Sequence, residues 1–288
     1  MPIQLIPATR EHAPTLARIC HLAFNTLHTH HRVPPDVPTE EVGALIIGGV
    51  IHRPDYVGAV AVEGGRMLGS NFLQMSDEVF GVGPITVDPT LQSRGAGRML
   101  MRWAIDEARA RRGPSAHVRL FQEAINTKSL SLYTSLGFVW RDAAAAMLPR
   151  PAAAEDPTVR PMTEADLPHV RRLSQQHYGF SRADDAAQLL SMKIPAFVRE
   201  RGGGVVAYHI ATLFGHASGQ TNDDLLATVA QTARRVPPPM SVVIVPMSQP
   251  ALYRAALAAG FRTSKVLNYM SLEPFAPIKG PALPSIQC

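Results

Sequence analysis

Cysteine is scarce in this chain of 288 residues, which contains only Cys20 and Cys288. Two cysteines cannot by themselves build a disulfide framework or a zinc cluster, so the disulfide-rich and zinc-ribbon classes are excluded. The apolar residues around Cys20 are spaced three and four positions apart, so Cys20 would lie with them on one face of a helix. We therefore predict that Cys20 packs in a core and does not act as a nucleophile.

Long hydrophobic runs are also missing from the sequence. The longest run made only of apolar residues and glycine, 42–51, has ten residues, three of them glycine, and is too short to span a bilayer. Arg10 and Glu11 interrupt any apolar leader at the start of the chain. We expect no membrane partner and a cytoplasmic protein. The hydrophobic fraction of 46% is enough for a globular core.

Charge of one sign is not concentrated anywhere in the chain. The formal net charge is +5, only 6% of the residues are aromatic, and no basic stripe with interleaved aromatic residues is present. This pattern gives no support to a nucleic-acid partner. A modest positive excess with scattered arginines suits an anionic small ligand.

The chain contains a weak internal repeat. Residues 6–19 resemble residues 160–173 at an offset of 154, and residues 131–140 resemble residues 253–263 at an offset of 123. The second copy is therefore 31 residues shorter than the first. The repeat predicts two domains, at residues 1–148 and 158–272. The Pro/Ala-rich composition between them predicts a linker at 149–157, and the proline-rich end predicts a mobile tail at 273–288.

The segment 85–101 is the most informative part of the sequence. A β-branched strand leads through a turn with Pro89 to Gly95 and Gly97, and an amphipathic helix follows at once. The first N–H groups of a helix have no internal partner, and the helix dipole makes that end positive. With Arg94 and Arg98 beside it, this junction predicts a pyrophosphate-binding site.

Two motifs resemble those of the GNAT N-acetyltransferase superfamily. The first is Gln92-x-x-Gly95-x-Gly97, which follows a strand and opens a helix. The second begins with Asn126 and Tyr133 and ends in Gly137-Phe138. The resemblance covers residues 1–150 well and residues 158–272 weakly.

The resemblance implies an α/β (α+β) fold with two GNAT-like domains, each a mixed, mostly antiparallel sheet flanked by helices. It also implies acetyl-CoA as cosubstrate and a primary amine as acceptor. Val87 would offer its N–H to the thioester oxyanion, and Tyr133 would protonate the departing thiolate. The resemblance places CoA against Ile85, Thr86, Val87, Gln92, Ser93, Arg94, Gly95, Ala96, Gly97, Arg98, Asn126 and Tyr133.

The general base stays open at this stage. Asp77, Glu78 and Glu123 are candidate carboxylates, and an ordered water is the alternative. Three histidines at positions 28, 30 and 31 have a spacing that metal sites use, but no neighbouring carboxylate or cysteine completes a ligand set. We expect a solvated histidine segment near the acceptor and no metal.

The second copy lacks the glycine motif of the first. Asp223 and Asp224 stand where its helix begins, and Ala256 stands where the repeat would place Tyr133. We therefore predict one catalytic domain and one degenerate domain, in a monomer or a homodimer. Transfer from another acyl-CoA, an acceptor amine from a thiol-synthesis pathway, and a non-catalytic acyl-CoA sensor remain alternatives.

Overall fold

The first half of the chain contains seven strands and four α-helices among its described residues. The computed structural model describes residues 2–92 and 95–287. Its elements in this half are β1 (Gln4–Pro7), α1 (Ala13–His31), α2 (Glu40–Ile51), β2 (Tyr56–Glu63), β3 (Arg66–Gln74), β4 (Val79–Val82), β5 (Thr86–Val87), α3 (Ala96–Arg112), β6 (His117–Glu123), α4 (Thr127–Ser135) and β7 (Val139–Leu148).

The second half repeats this order in a shortened form. Its elements are β8 (Val159–Pro161), α5 (Leu167–Tyr178), α6 (Ala183–Ser191), β9 (Ala196–Arg201), β10 (Gly204–Ile210), β11 (Ala217–Gly219), α7 (Asn222–Arg235), β12 (Val243–Pro246), α8 (Pro250–Ala258), β13 (Arg262–Ser271) and β14 (Ala282–Leu283). The shortening is spread over several elements. Helix α5 has 12 residues against 19 in α1, and the three residues of β11 stand in the place of both β4 and β5.

The two halves exchange strands in the larger sheet. Its order is β1-β2-β3-β4-β6-β13-β7-β12, with β5 pairing on β3, so the last long strand of the second half lies between β6 and β7 of the first. Strand β7 in turn pairs antiparallel with β12. The smaller sheet has the order β14-β11-β10-β9-β8. The fold is thus mixed α/β with mostly antiparallel pairing, as the sequence predicts.

Helix α3 covers one face of the larger sheet. Leu100, Ala104 and Ala108 recur at helical spacing on its buried side, and Leu100 and Ala104 are wholly inaccessible to solvent. Burial of a side chain the size of Leu100 contributes about 1.5–3 kcal/mol. The core beneath α3 continues into Met270 of β13, so residues from both halves stabilise it.

Strand β4 separates from β6 partway along the sheet, and the segment 79–87 forms two short strands, β4 and β5. The two strands pair in parallel as far as Gly81 and Arg119. The chain then turns at Gly83, whose φ of 133° favours glycine, and Pro84 has no N–H to continue a ladder. Pairing resumes in β5, on the β3 side alone. A gap therefore opens between β5 and β6.

The tail differs from the poorly structured segment that its composition predicts. Ala282 and Leu283 form β14 and are fully buried. Proline-rich composition indicates little local propensity, but here strand pairing with a distant part of the chain supplies the order. Within the described residues, no helix is both long and apolar enough to traverse a lipid bilayer.

Candidate active site

The gap between β5 and β6 is the centre of the predicted site. Ile85 and Glu123 are each four residues beyond Gly81 and Arg119, the last positions at which β4 pairs with β6. At a rise of about 3.3 Å per residue, both lie roughly 13 Å past the point of divergence. Ile85 therefore lies on the β5 side of the gap and Glu123 on the β6 side. This is the part of the gap in which the resemblance places the thioester.

The N-terminus of α3 closes one end of this gap. Gly95, with a φ of 95°, is the N-cap residue and supplies no side-chain cap, so the first N–H groups of the helix remain available as donors. A Cβ at Gly97 would lie 3.6 Å from Leu132 Cδ2 and 3.9 Å from Val87 Cγ2. A Cβ would make only ordinary van der Waals contacts here, and a longer side chain at position 97 would enter the space between α3, α4 and β5.

Other predicted cofactor residues on this turn have different environments. Ala96 is buried, whereas Gln92 and Arg98 are exposed. Arg98 Nη2 donates a hydrogen bond of 3.0 Å to Ser135 Oγ and so joins α3 to α4. Ser93 and Arg94 lie outside the described residues, and their assignment as cofactor contacts stays a prediction.

The edge of β5 faces the gap. The N–H of Asp88 donates to the carbonyl of Leu68 on β3 over 2.8 Å. Because successive residues of a strand point their amides to opposite edges, the N–H of Val87 is directed away from β3. Val87 thus has the orientation that its predicted oxyanion role requires. Thr86 is buried, and its Oγ1 has no hydrogen-bond partner among the described residues.

Helix α4 places both residues of the second motif. Asn126 is its N-cap, and Asn126 Oδ1 accepts the N–H of Ser129 over 3.1 Å. This bond leaves the amide N–H₂ of Asn126 as a donor for a ligand carbonyl. Tyr133 is 7% exposed, and burial raises its pKa above the usual range. No described group hydrogen-bonds the Tyr133 hydroxyl.

The face of β6 opposite α3 and α4 bears a charged cluster that joins the two halves. His28 Nε2 donates to Glu123 Oε2 over 2.8 Å, and Lys265 Nζ of β13 forms ion pairs with both Glu123 and Asp36. The hydrogen bond from His28 and the nearby ammonium of Lys265 lower the pKa of Glu123 to about 2. Burial raises the pKa of Asp36.

The expectation of a solvated histidine segment is wrong for His28. That side chain is 1% exposed, whereas His30 and His31 are exposed and contact each other edge to face. Side-chain ligand atoms of His28, Asp36 and Glu123 lie within 4.8 Å of one another, a grouping that could hold a cation. The ammonium of Lys265 already provides a positive charge for both carboxylates. Sequence spacing could not reveal the set, because Glu123 is 95 positions from His28.

Asp77 and Glu78 lie at the opposite end of β4 from the gap. Asp77 is about six residues from Gly83, or roughly 20 Å along an extended chain. It is buried beside Arg182, with 3.4 Å between Oδ2 and Nη1, and burial raises its pKa to about 7. The distance separates both acids from the level at which the thioester would sit, so neither is placed to act as a base there.

The corresponding helix end in the second half is capped. Thr221 Oγ1 accepts the N–H of Asp224 over 3.1 Å. The carboxylate of Asp224 is itself buried and pairs with Arg201 over 2.8 Å. The first turn of α3 therefore has free N–H groups, whereas in α7 the N–H of Asp224 is bonded to Thr221 and the carboxylate of Asp224 is buried.

Known proteins share both the sequence motif and the fold. Residues 23–138 match the model of the Acetyltransferase (GNAT) family. No curated protein sequence shows significant similarity to the chain. A crystal structure from Pyrococcus horikoshii, of a protein assigned as an acetyltransferase, superposes with a TM-score of 0.76 at 13% identity, over 96% of this chain and 91% of that one.

Two further structures match nearly the whole chain. A tandem GNAT protein from the clavulanic acid biosynthesis pathway has a TM-score of 0.59 at 14% identity, over 94% of this chain and 98% of that one. A GCN5-related N-acetyltransferase from Sphaerobacter thermophilus has a TM-score of 0.60 at 16% identity, over 96% and 97%.

The fold is therefore that of a tandem acyl-CoA N-acyltransferase. The match to the Acetyltransferase (GNAT) family covers residues 23–138, within the first half of the chain, and acyl transfer is the general activity that this match supports.

Proposed function

We propose that the protein transfers an acetyl group from acetyl-CoA to a primary amine by direct attack in a ternary complex. One observation carries the proposal: the uncapped N-terminus of α3 at Gly95 lies beside the free edge of β5, at the mouth of the gap between β5 and β6. Anion-binding donors and an open strand edge together suit a ligand that has a pyrophosphate followed by an amide-containing arm.

Binding of CoA would use the backbone more than the side chains. The N–H groups at the start of α3 would receive the pyrophosphate, with Arg98 adding positive charge. The pantetheine arm would run along β5 and pair with Ile85 and Val87, and the free amide N–H₂ of Asn126 would donate to one of its carbonyls. Gly97 leaves the space between the start of α3 and Val87 free of a side chain, which this arrangement needs.

Val87 and Tyr133 would act on the thioester. The amine lone pair attacks the carbonyl carbon, and the N–H of Val87 stabilises the oxyanion as it forms. The C–S bond then breaks, and the thiolate takes a proton from the hydroxyl of Tyr133. Burial raises the pKa of Tyr133, which keeps its hydroxyl protonated before transfer and also makes it a weaker acid towards the thiolate than a free tyrosine. The nitrogen that attacked releases its extra proton to water, and the phenolate of Tyr133 is reprotonated from solvent, so the protons balance.

Glu123 would guide the amine electrostatically. Transfer of a proton from an alkylammonium, with a pKa near 10, to a carboxyl whose pKa is lowered to about 2 is strongly unfavourable. A carboxylate that stays ionised instead attracts the incoming ammonium. The proton then leaves through water, which was the alternative to a carboxylate base.

The test is release of CoA thiol by the full-length protein with acetyl-CoA and a panel of primary amines, together with mass spectrometry of the acylated product. Propionyl-CoA and longer acyl-CoAs in parallel reactions distinguish the acyl donor. We expect amine-dependent thiol release and a product heavier by one acetyl group. Tight CoA binding without turnover on any amine would instead support an acyl-CoA sensor.

A further inference from the structure

The C-terminal tail places its strand β14 in the space between β11 and β12 of the second half, a space that we call the slot. Ala282 and Leu283 pair antiparallel with Ser218 and Ala217 of β11. The N–H of Gly219 donates to the carbonyl of Pro281 over 3.0 Å. The hydroxyl of Tyr178 donates to the carbonyl of Leu283 over 2.7 Å. The backbone of the tail is therefore held by hydrogen bonds to β11 and to Tyr178 of α5.

This slot corresponds to the open gap of the first half. Strand β11 follows β10 and precedes α7, as β4 and β5 follow β3 and precede α3. On its other side β14 contacts β12, and Leu283 packs in one core cluster with Val243 and Val245 of that strand. Between β11 and β12 the second half thus contains a strand of its own chain, where the first half leaves space between β5 and β6.

Beyond β14 the tail first contacts two residues of the second half. Arg182 Nη2 donates to Ser285 Oγ, and the N–H of Ile286 donates to the carbonyl of Phe214, each over 3.0 Å. The ring of Phe214 lies 5.6 Å from Nζ of Lys265, the residue that pairs with Glu123. The tail is therefore connected to the charged cluster beside the gap.

The tail ends against the turn at which the gap opens. Gln287 Nε2 donates a hydrogen bond of 3.0 Å to the carbonyl of Gly83. A Cβ at Gly81 would overlap the backbone oxygen of Gln287, so the tail lies directly on β4 and the absence of a side chain permits that contact. Gly81 pairs with Arg119, and Glu123 lies on the same face of β6 because side chains alternate along a strand.

We propose that residues 284–287 form a wall of the acceptor pocket and determine which amines reach the thioester, with β14 as their anchor in the second half. This inference rests on the proposed function. Its physical basis is that the segment is fixed at both ends, by β14 and by the bond of Gln287 to Gly83, on the face from which an amine would approach Glu123.

The experiment compares the full-length protein with a deletion of residues 284–288, which keeps β14, and with Gln287→Ala, which removes one bond of the wall. Lys279→Ala is the control, because it changes an exposed side chain of the tail ahead of β14. Thermal melts monitored by circular dichroism establish folding, and calorimetry measures CoA affinity. Ethylamine, benzylamine, tyramine and Nα-acetyl-lysine methylamide are the acceptors.

We expect CoA affinity within twofold of the wild type for every variant. The deletion is expected to raise kcat/KM for the bulky amines at least fivefold relative to ethylamine. Gln287→Ala is expected to raise the same ratio by a smaller factor. The same ratio of bulky to small acceptors in a folded deletion variant would overturn the inference and leave the proposed function intact.

A second readout does not depend on amine transfer. The thiol of CoA bound to the protein is alkylated with iodoacetamide, and the rate is compared with and without residues 284–288. We expect at least a fivefold faster reaction in the deletion variant. An unchanged rate in a variant that binds CoA contradicts a wall at this place, even if no amine is acetylated.

Discussion

Nη1 of Arg119 donates a hydrogen bond of 2.8 Å to the hydroxyl of Tyr269, and both side chains are buried. Arg119 belongs to β6 of the first half and Tyr269 to β13 of the second. The rings of Phe180 and Phe275 lie 4.9 Å and 5.1 Å from the Arg119 guanidinium carbon, so the charge is enclosed by aromatic faces. The bond thus ties the exchanged strand to its host.

Tyr269→Phe is expected to lower the free energy of unfolding by about 1–3 kcal/mol, because it leaves a buried guanidinium N–H without this acceptor. Urea unfolding followed by circular dichroism measures the change. Tyr253→Phe is the matched control. Its hydroxyl bonds the Thr263 hydroxyl at an exposed position, so the cost there is expected to stay within about 0.5 kcal/mol. Equal costs for the two variants would contradict the role of the Arg119–Tyr269 bond.

Gly97→Glu is expected to weaken CoA binding by about 1–3 kcal/mol, because it adds bulk and negative charge between α3, Leu132 and Val87. Calorimetric titration with CoA measures the loss. Gly49→Ala is the control, since a Cβ at Gly49 meets no atom within 4 Å. Unchanged affinity in a folded Gly97→Glu protein argues against a pyrophosphate site at this helix end.

Tyr133→Phe separates binding from chemistry. It removes one hydroxyl from a buried ring, so we expect CoA affinity to stay within about twofold while kcat falls about 10²–10⁴-fold. Steady-state kinetics on an accepted amine measure the change. If kcat stays within a factor of two of the wild type, the proton for the thiolate comes from elsewhere, and water becomes the acid.

The chain is expected to bind one acetyl-CoA. The first turn of α3 has free N–H donors, whereas Thr221 caps α7 and β14 fills the slot beside β11. Equilibrium titration with acetyl-CoA gives the stoichiometry. Two molecules per chain, or CoA density against α7 in a crystal soaked with the ligand, would show that the second half retains a site.

Lys265→Met is expected to change the acid stability of the protein. The pKa of Glu123 is lowered to about 2 in the folded chain, so its stabilising contribution is present above the unfolded value near 4.3 and is lost as pH falls towards 2. Removing the ammonium raises that pKa. We expect a loss of about 1–3 kcal/mol at pH 7 that becomes smaller near pH 3. A pH-independent loss, measured by urea unfolding at both pH values, would assign Lys265 a packing role alone.

Much of the first half could be predicted from the sequence. The order of elements, the glycine turn before α3 and the placement of Asn126 and Tyr133 on one short helix all follow from local pattern. The core position of Cys20 follows in the same way and is confirmed, since its side chain is fully buried and burial raises its thiol pKa to about 12.

Pairing between distant segments could not be predicted in this way. Strands β7 and β13 both end repeats of the same pattern, and nothing local to either specifies which half it completes. The burial of His28 depends on Glu123 and Lys265, which lie far along the chain. The order of the tail likewise depends on β11, since proline-rich composition alone predicts mobility.

The exchange of β7 and β13 also affects the sequence of events during synthesis. Strand β6 emerges from the ribosome early, but the neighbour that separates it from β7 is Arg262–Ser271, close to the end of the chain. Until that strand is made, β6 and β7 each have an unpaired edge, which is a site for wrong association. The first half of the sequence therefore does not complete its sheet from its own residues. Its sheet closes only after Arg262–Ser271 has been made.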